Sequence, residues 1–173
     1  MADALPWEEW LQTLASADPA SHVRSAAAGA LGQLGDPRAT QPLLAAFSAD
    51  AENRGLIAGA LSQIGDRSVI PAMLAALGHG DSDVRDNAAY VLGTLGGPEV
   101  LDPLLHALKD VAPEVRYTAA EALGTLGDVR ALPALQAVAE QDSGKSWSDF
   151  HGAPPGQSVA FTAQRAIEEL LAQ

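Results

Sequence analysis

The residues with the most chemical promise lie close together near the C-terminus. Gly144-Lys145-Ser146 has the ending of a phosphate-binding loop, and Ser148, Asp149 and His151 follow at once with the residue types of a nucleophile, an orienting acid and a base. The chemistry on offer would be nucleotide binding or nucleophilic hydrolysis, but neither pattern is complete. A phosphate loop needs a glycine five residues before Gly144, where Ala139 stands, and a helix starting directly after the lysine, where loop residues continue. A triad needs an oriented base and an oxyanion hole, which proximity in a loop does not supply. His22, His79 and His106 are scattered without metal-ligand spacing. With no cysteine, the chain has no thiolate nucleophile, thiolate metal site or disulfide framework. The sequence therefore nominates no catalytic residue, no metal ligand and no cofactor.

What remains is binding, and composition narrows the partner. The net charge of −12, from 22 acidic against 10 basic residues, opposes a phosphate-backbone partner. It favours a protein or peptide bearing a basic group. No apolar run is long enough to span a membrane. The N-terminus, Met1-Ala-Asp-Ala-Leu-Pro-Trp-Glu-Glu-Trp10, lacks the basic and apolar regions of a signal peptide, so the expected location is cytoplasmic.

The elements that position any binding residue follow from a repeat. Val115-Arg-Tyr-Thr-Ala-Ala-Glu-Ala-Leu-Gly-Thr-Leu-Gly-Asp128 matches segments beginning at Val84 and Val23, and more loosely one beginning at Asn53. The central leucines Leu31, Leu61, Leu92 and Leu123 are spaced by 30, 31 and 31 residues. Such a period means a repeat architecture in which neighbouring units bury a shared core. Apolar positions recur at helical spacing, Gly35, Gly65, Gly96 and Gly127 stand at helix ends, and Pro42, Pro71, Pro103 and Pro133 lie near the starts of shorter helices. The predicted fold is all-α, a right-handed α-solenoid of about five helical hairpins: 5–34, 38–64, 68–95, 99–126 and 130–171 in one domain of residues 1–173. Trp7 and Trp10 on the first helix read as a cap on the first repeat.

The last hairpin breaks the rhythm. Asp110 lies five residues before Val115, whereas Asp142 lies seventeen before Val159, so twelve residues are inserted in the turn. The insert, within 143–158, carries Trp147, Phe150 and His151, which an inert linker has little reason to carry; a binding lid and a loop folded back to cover the solenoid edge fit them equally.

The pattern Asp-x-x-Val-Arg-x-x-Ala-Ala-x-x-Leu-Gly-x-Leu-Gly-Asp, followed by a Pro-Leu-Leu-type helix, resembles the HEAT repeats of the phycobilisome-lyase HEAT-like subgroup, over about residues 5–171. The resemblance implies that the motif helices line a concave face. It also implies that Arg24, Arg54, Arg85 and Arg116 form a polar ladder between repeats, with Asp50, Asp81 and Asp110 as partners. Ala160 stands at the arginine position of the last copy, where the ladder should stop. Deoxyhypusine hydroxylase-like proteins share such repeats but need His-Glu pairs for a di-iron centre, and no histidine here is followed by glutamate. Bilin lyase subunits also share the architecture and offer no short motif to carry over.

Within the motif, positions 1, 5, 9 and 12 should face the core, leaving 3, 4, 7 and 11 free to vary. In the first two copies these are Ser25, Ala26, Gly29, Gln33 and Gly55, Leu56, Gly59, Gln63. In the last three they are Asp86, Asn87, Tyr90, Thr94; Tyr117, Thr118, Glu121, Thr125; and Phe161, Thr162, Arg165, Glu169. Asp86, Asn87, Tyr90, Tyr117, Glu121, Phe161 and Arg165, together with Trp147, Phe150 and His151 of the insert, form the expected binding set. Aromatic anchors commonly dominate such surfaces. The leading expectation is a non-enzymatic scaffold, monomeric or weakly dimeric, that binds a protein or peptide on its concave face. The alternative is a bilin lyase-like accessory protein for tetrapyrrole attachment.

Overall fold

Two signals, repeated along the chain, set the helix boundaries. The first is a glycine that ends the longer helices in left-handed geometry: Gly35, Gly65 and Gly127 have φ of 67°, 72° and 74°, and the Gly35 and Gly65 amides donate to the carbonyls of Leu31 and Leu61. The second is an aspartate that accepts from the backbone two residues on. Asp36 receives the Arg38 amide, Asp66 the Ser68 amide and Asp128 the Arg130 amide, each at 2.9 Å. Each aspartate opens a short 3₁₀ turn that feeds a shorter helix, so it caps the turn rather than the α-helix itself.

A computed structural model describes residues 6–16, 20–141 and 158–172. Among them are ten α-helices: α1 Pro6–Ala15, α2 Ser21–Leu34, α3 Thr40–Ala49, α4 Arg54–Ile64, α5 Ile70–Ala76, α6 Ser82–Leu95, α7 Leu101–Ala107, α8 Pro113–Leu126, α9 Leu132–Gln141 and α10 Val159–Leu171. None of the described helices is long and apolar enough to cross a membrane. The chain divides into two compact units, Met1–Pro71 and Ala72–Gln173.

In the first unit, α1 packs on α2 and α3, and the motif helices α2 and α4 lie against each other with α3 beside α4. Leu31, Leu43, Ile57 and Leu61 are buried at its centre. The Arg38 guanidinium sits 4.2 Å from the centroid of the Trp7 ring, tying α1 to the turn before α3. In the second unit, α6, α8 and α10 form a row, α8 touching both neighbours, with α7 against α8 and α9 against α10. Leu92, Leu101, Leu104, Leu108, Leu123 and Leu135 fill that core.

The rows are tight because of one recurrent crossing. A Cβ added to Gly32 would lie 2.7 Å from the Ala60 Cα, one on Gly93 would lie 2.4 Å from the Ala122 Cβ, and one on Gly124 would lie 2.9 Å from the Ala166 Cβ. Glycine at motif position 10 thus lets each helix press on alanine at position 8 of the next.

Expected core positions 1, 5 and 9 are buried in every copy except at Val23, whereas position 12 is buried only at Leu170, half-buried at Ile64, Leu95 and Leu126, and exposed at Leu34. Val23 and Leu34, at positions 1 and 12 of the first copy, are 40% and 50% exposed, whereas Val84, Val115 and Val159 are buried. Helix α2 is the first motif helix, so no earlier copy covers those two side chains.

The arginine ladder forms inside each unit. Arg24 reaches Asp50 at 2.6 and 3.3 Å, and Arg85 reaches Asp110 at 2.8 and 2.7 Å. Asp50 also accepts from the Asn53 side chain, and the Arg24 bond chiefly holds its carboxyl down to about 2. Burial would raise Asp110, but the Arg85 guanidinium, the Ala112 amide and the Arg116 charge outweigh it and leave Asp110 below the usual carboxylate range. Arg54 is buried and donates to the Phe47 carbonyl, and Arg116 donates to the carbonyls of Asp110 and Val111.

Candidate functional site

The second unit carries an open cleft of about 210 Å³ along the row α6–α8–α10. Tyr90, Gly93 and Thr94 line it from α6, Thr118, Glu121, Ala122 and Thr125 from α8, and Arg165 and Glu169 from α10. Its floor is the Gly93–Ala122 crossing already described. Its walls are chiefly motif positions 7 and 11, with Thr118 from position 4. Positions 7 and 11 are each two residues from the buried leucines at position 9, about 200° of helical rotation, and so lie on the opposite face.

Of the residues expected from the sequence, the structure brings Tyr90, Glu121 and Arg165 together in this cleft. Tyr90 is 46% exposed. The Arg165 Nη2 donates to Glu121 Oε1 at 2.8 Å, and its Nε lies 3.5 Å from Glu169. Asp86 stands behind the cleft wall, where the Thr118 hydroxyl donates to it at 2.5 Å across α8 and α6. Burial pushes the Asp86 carboxyl up to about 6; the Thr118 bond opposes this, and the charges of Asp83, Glu114 and Glu121 reinforce it.

Other expected residues are placed differently. Tyr117 is half-buried beside the cleft, its hydroxyl 3.4 Å from Glu121, and burial followed by the Glu121 charge raises its pKa. Phe161 is exposed at the first turn of α10, and neither it nor Tyr117 lines the cleft. Asn87 is buried, with its amide donating to the Asp83 carbonyl at 2.8 Å and to the Asp83 carboxylate at 3.2 Å. It fastens the first turn of α6 and does not reach the cleft. Trp147, Phe150 and His151 lie outside the described residues.

The expected binding set left out Thr94, Thr118, Thr125 and Glu169, although all four stand at positions read as facing away from the core. The signal was present in the repeat, because position 11 is exposed in every copy and always polar: Gln33, Gln63, Thr94, Thr125 and Glu169. Thr94 and Thr125 donate their hydroxyls to the carbonyls of Tyr90 and Glu121 on their own helices, at 3.0 and 3.1 Å. With those hydrogens used, their oxygens remain able to accept. Among the described residues no three metal-donor side chains converge.

The comparisons with known proteins bear first on the scaffold. The family model described as HEAT repeats matches residues 3–54, 46–112 and 98–146, which together cover most of the chain. The chain belongs to the HEAT-repeat family. Its ten described helices in packed hairpins are consistent with a HEAT α-solenoid. This HEAT-repeat protein also resembles a solved structure, the complex of CpcE and CpcF of phycocyanin lyase from Nostoc sp. PCC7120, with a TM-score of 0.72 and 25% sequence identity. The match covers 98% of this chain and 66% of that one, so this chain spans about two thirds of the length of its structural relative. No curated protein sequence matches it. The second function expected from the sequence, the lyase-like one, is therefore better supported than the plain scaffold placed first.

Proposed function

We propose that this HEAT-repeat protein is an accessory subunit of the phycocyanin-lyase kind, working in an assembly with a second protein and taking part in the attachment of a tetrapyrrole chromophore to a client protein. The observation that carries this reading is the likeness to the complex of CpcE and CpcF across 98% of the chain. In this reading the row α6–α8–α10 is the face offered to the partner. The chain contributes recognition: Tyr90 and Phe161 give exposed aromatic surface, and Glu121, Arg165 and Glu169 give charge at the cleft. The chromophore is the cargo of the assembly rather than a resident cofactor.

The test is co-expression of the chain with a bilin source, a candidate partner HEAT protein and a client, followed by absorbance of the purified client. Covalently attached pigment that depends on this chain is the expected result. Equal pigment with and without the chain would defeat the reading. A plain protein-binding scaffold is favoured in its place if affinity capture recovers a partner, the Tyr90→Ala/Tyr117→Ala variant loses it, and no pigment is attached under any combination.

A further inference from the structure

The ion pairs between successive copies are of two kinds. Arg24–Asp50 and Arg85–Asp110 each make two bonds, and their side chains are at most 19% exposed. Arg165 makes one hydrogen bond to Glu121, and the two side chains are 46% and 40% exposed. The first kind is built into the turn side of the repeats. The second sits at motif position 7, on the open face, in the same column as Tyr90. An exposed ion pair of that sort contributes little, so releasing it costs little.

The chemistry of the cleft is one-sided. The threonine hydroxyls at positions 94 and 125 are spent on their own helices, leaving oxygens that accept. Glu121 and Glu169 accept only, and the Asp86 carboxyl lies behind Thr118. Arg165 is the single cationic side chain among the lining residues, and it already occupies the carboxylates. Space of about 210 Å³ remains beside it, with the exposed Tyr90 on the α6 side. A site rich in acceptors, with an aromatic wall and a guanidinium already seated in it, complements a second guanidinium, whose planar fork of N–H donors pairs with carboxylates and stacks on aromatic rings.

We propose that the α6–α8–α10 cleft receives an arginine side chain from the partner protein and that Arg165 is its internal placeholder, leaving Glu121 and Glu169 when the partner arrives. This rests on the reading of that row as the partner-docking face. The ladder arginines serve as the internal contrast, since they hold the repeats together and do not exchange.

The experiment titrates the full chain with N-acetyl-arginine methylamide, following backbone amide shifts of Gly93, Thr94, Thr125 and Glu169. The lysine analogue and the neutral citrulline analogue serve as controls. Arginine should shift these amides at lower concentration than lysine, and citrulline should not shift them. Arg165→Gln should tighten arginine binding about two- to five-fold, the factor set by an exposed ion pair. Glu121→Gln should weaken it about five-fold or more, with circular dichroism showing both variants folded. Binding unchanged or weakened in Arg165→Gln, equal shifts with citrulline, or shifts confined to other helices would each overturn the proposal. If Arg165→Gln fails to tighten while pigment attachment still depends on the chain, the placeholder is wrong and the accessory-subunit reading stands. If it tightens while no pigment is attached, the arginine seat stands and that reading falls.

Discussion

The row α2–α4 of the first unit and the row α6–α8–α10 of the second are built on one skeleton and finished with different surfaces. Both have a two-bond Arg–Asp pair on the turn side, Arg24–Asp50 in one and Arg85–Asp110 in the other. Both have glycine pressed on alanine where the motif helices cross. On the open face the first row shows Gly29, Gly59 and the exposed Leu56, and the second shows Tyr90, Glu121 and Arg165. Residues that repeat between the rows hold helices together. Residues that differ between them lie on the open face, where the second unit carries the aromatic and charged side chains that the proposed function assigns to a partner.

The sharpest way to break the comparison is to attack the shared skeleton. Removing one member of a buried ion pair leaves the other charged and uncompensated, which costs about 3–5 kcal/mol when burial is complete. Arg85 and Asp110 side chains are 11% and 14% exposed, and Arg85 also donates to the His79 and Gly80 carbonyls. Arg85→Ala should therefore cost about 2–4 kcal/mol in urea unfolding. Arg24→Ala should lower the unfolding midpoint in the same direction if the two rows are equivalent. A loss in one and none in the other would show that the ladder matters in only one unit.

The crossing glycines come next. At Gly93 an added methyl would lie 2.4 Å from the Ala122 Cβ and 2.8 Å from its Cα, and a backbone atom cannot swing away. Gly93→Ala should destabilise by about 1–3 kcal/mol despite the better helix propensity of alanine. Gly32→Ala, 2.7 Å from the Ala60 Cα, should follow it. Unchanged unfolding midpoints in both would mean that the rows are looser than their geometry.

The fold was legible because its signals are local. A glycine ending a helix, an aspartate capping a turn and a period of about 31 residues can each be read without knowing what touches what. The site was legible only in part. The column of Tyr90, Glu121 and Arg165 follows from one position repeated through three copies. Asn87 and Thr162 share position 4 with the half-buried Thr118 and the exposed Leu56, yet both are buried. The spacing within one helix does not say how far the neighbouring helix covers its flank. The Thr118–Asp86 bond spans 32 residues of sequence and depends on that same offset. The exposed Val23 and Leu34 teach the same lesson from the end of a row, where a core position loses its cover.

Asp86 gives a pH-dependent test of how the second row differs. Its folded pKa of about 6 is above the ordinary carboxylate value, so between about pH 4 and pH 6 the native state binds more protons than the unfolded chain. Stability should fall as pH rises through that window and level off above it. Asp86→Asn keeps an oxygen for the Thr118 hydroxyl and removes the charge. With allowance for solvent at this half-buried group, it should gain on the order of 1–2 kcal/mol at pH 7.5, and the gain should vanish near pH 4. The first row has Ser25 and Gly55 at position 3 and offers no equivalent. A gain of the same size at pH 4 and pH 7.5 would rule out ionisation as its cause.

The smallest effect tests the bare surface of the first row. A glycine inside a helix costs about 0.5–1 kcal/mol relative to alanine through backbone entropy. At Gly32, Gly93 and Gly124 close packing justifies that cost. At Gly59 it does not, since a Cβ there would meet nothing within 4 Å, and the same is true of Gly29. Gly59→Ala should accordingly stabilise by about 0.5–1 kcal/mol in urea unfolding, and Gly29→Ala by a similar amount. The sign separates the two positions of glycine on one helix face: a loss at position 10 where helices touch, a gain at position 7 where they do not. A loss at Gly59 would mean that the space beside α4 is filled in solution, and the contrast between an empty first row and a furnished second one would then have to be abandoned.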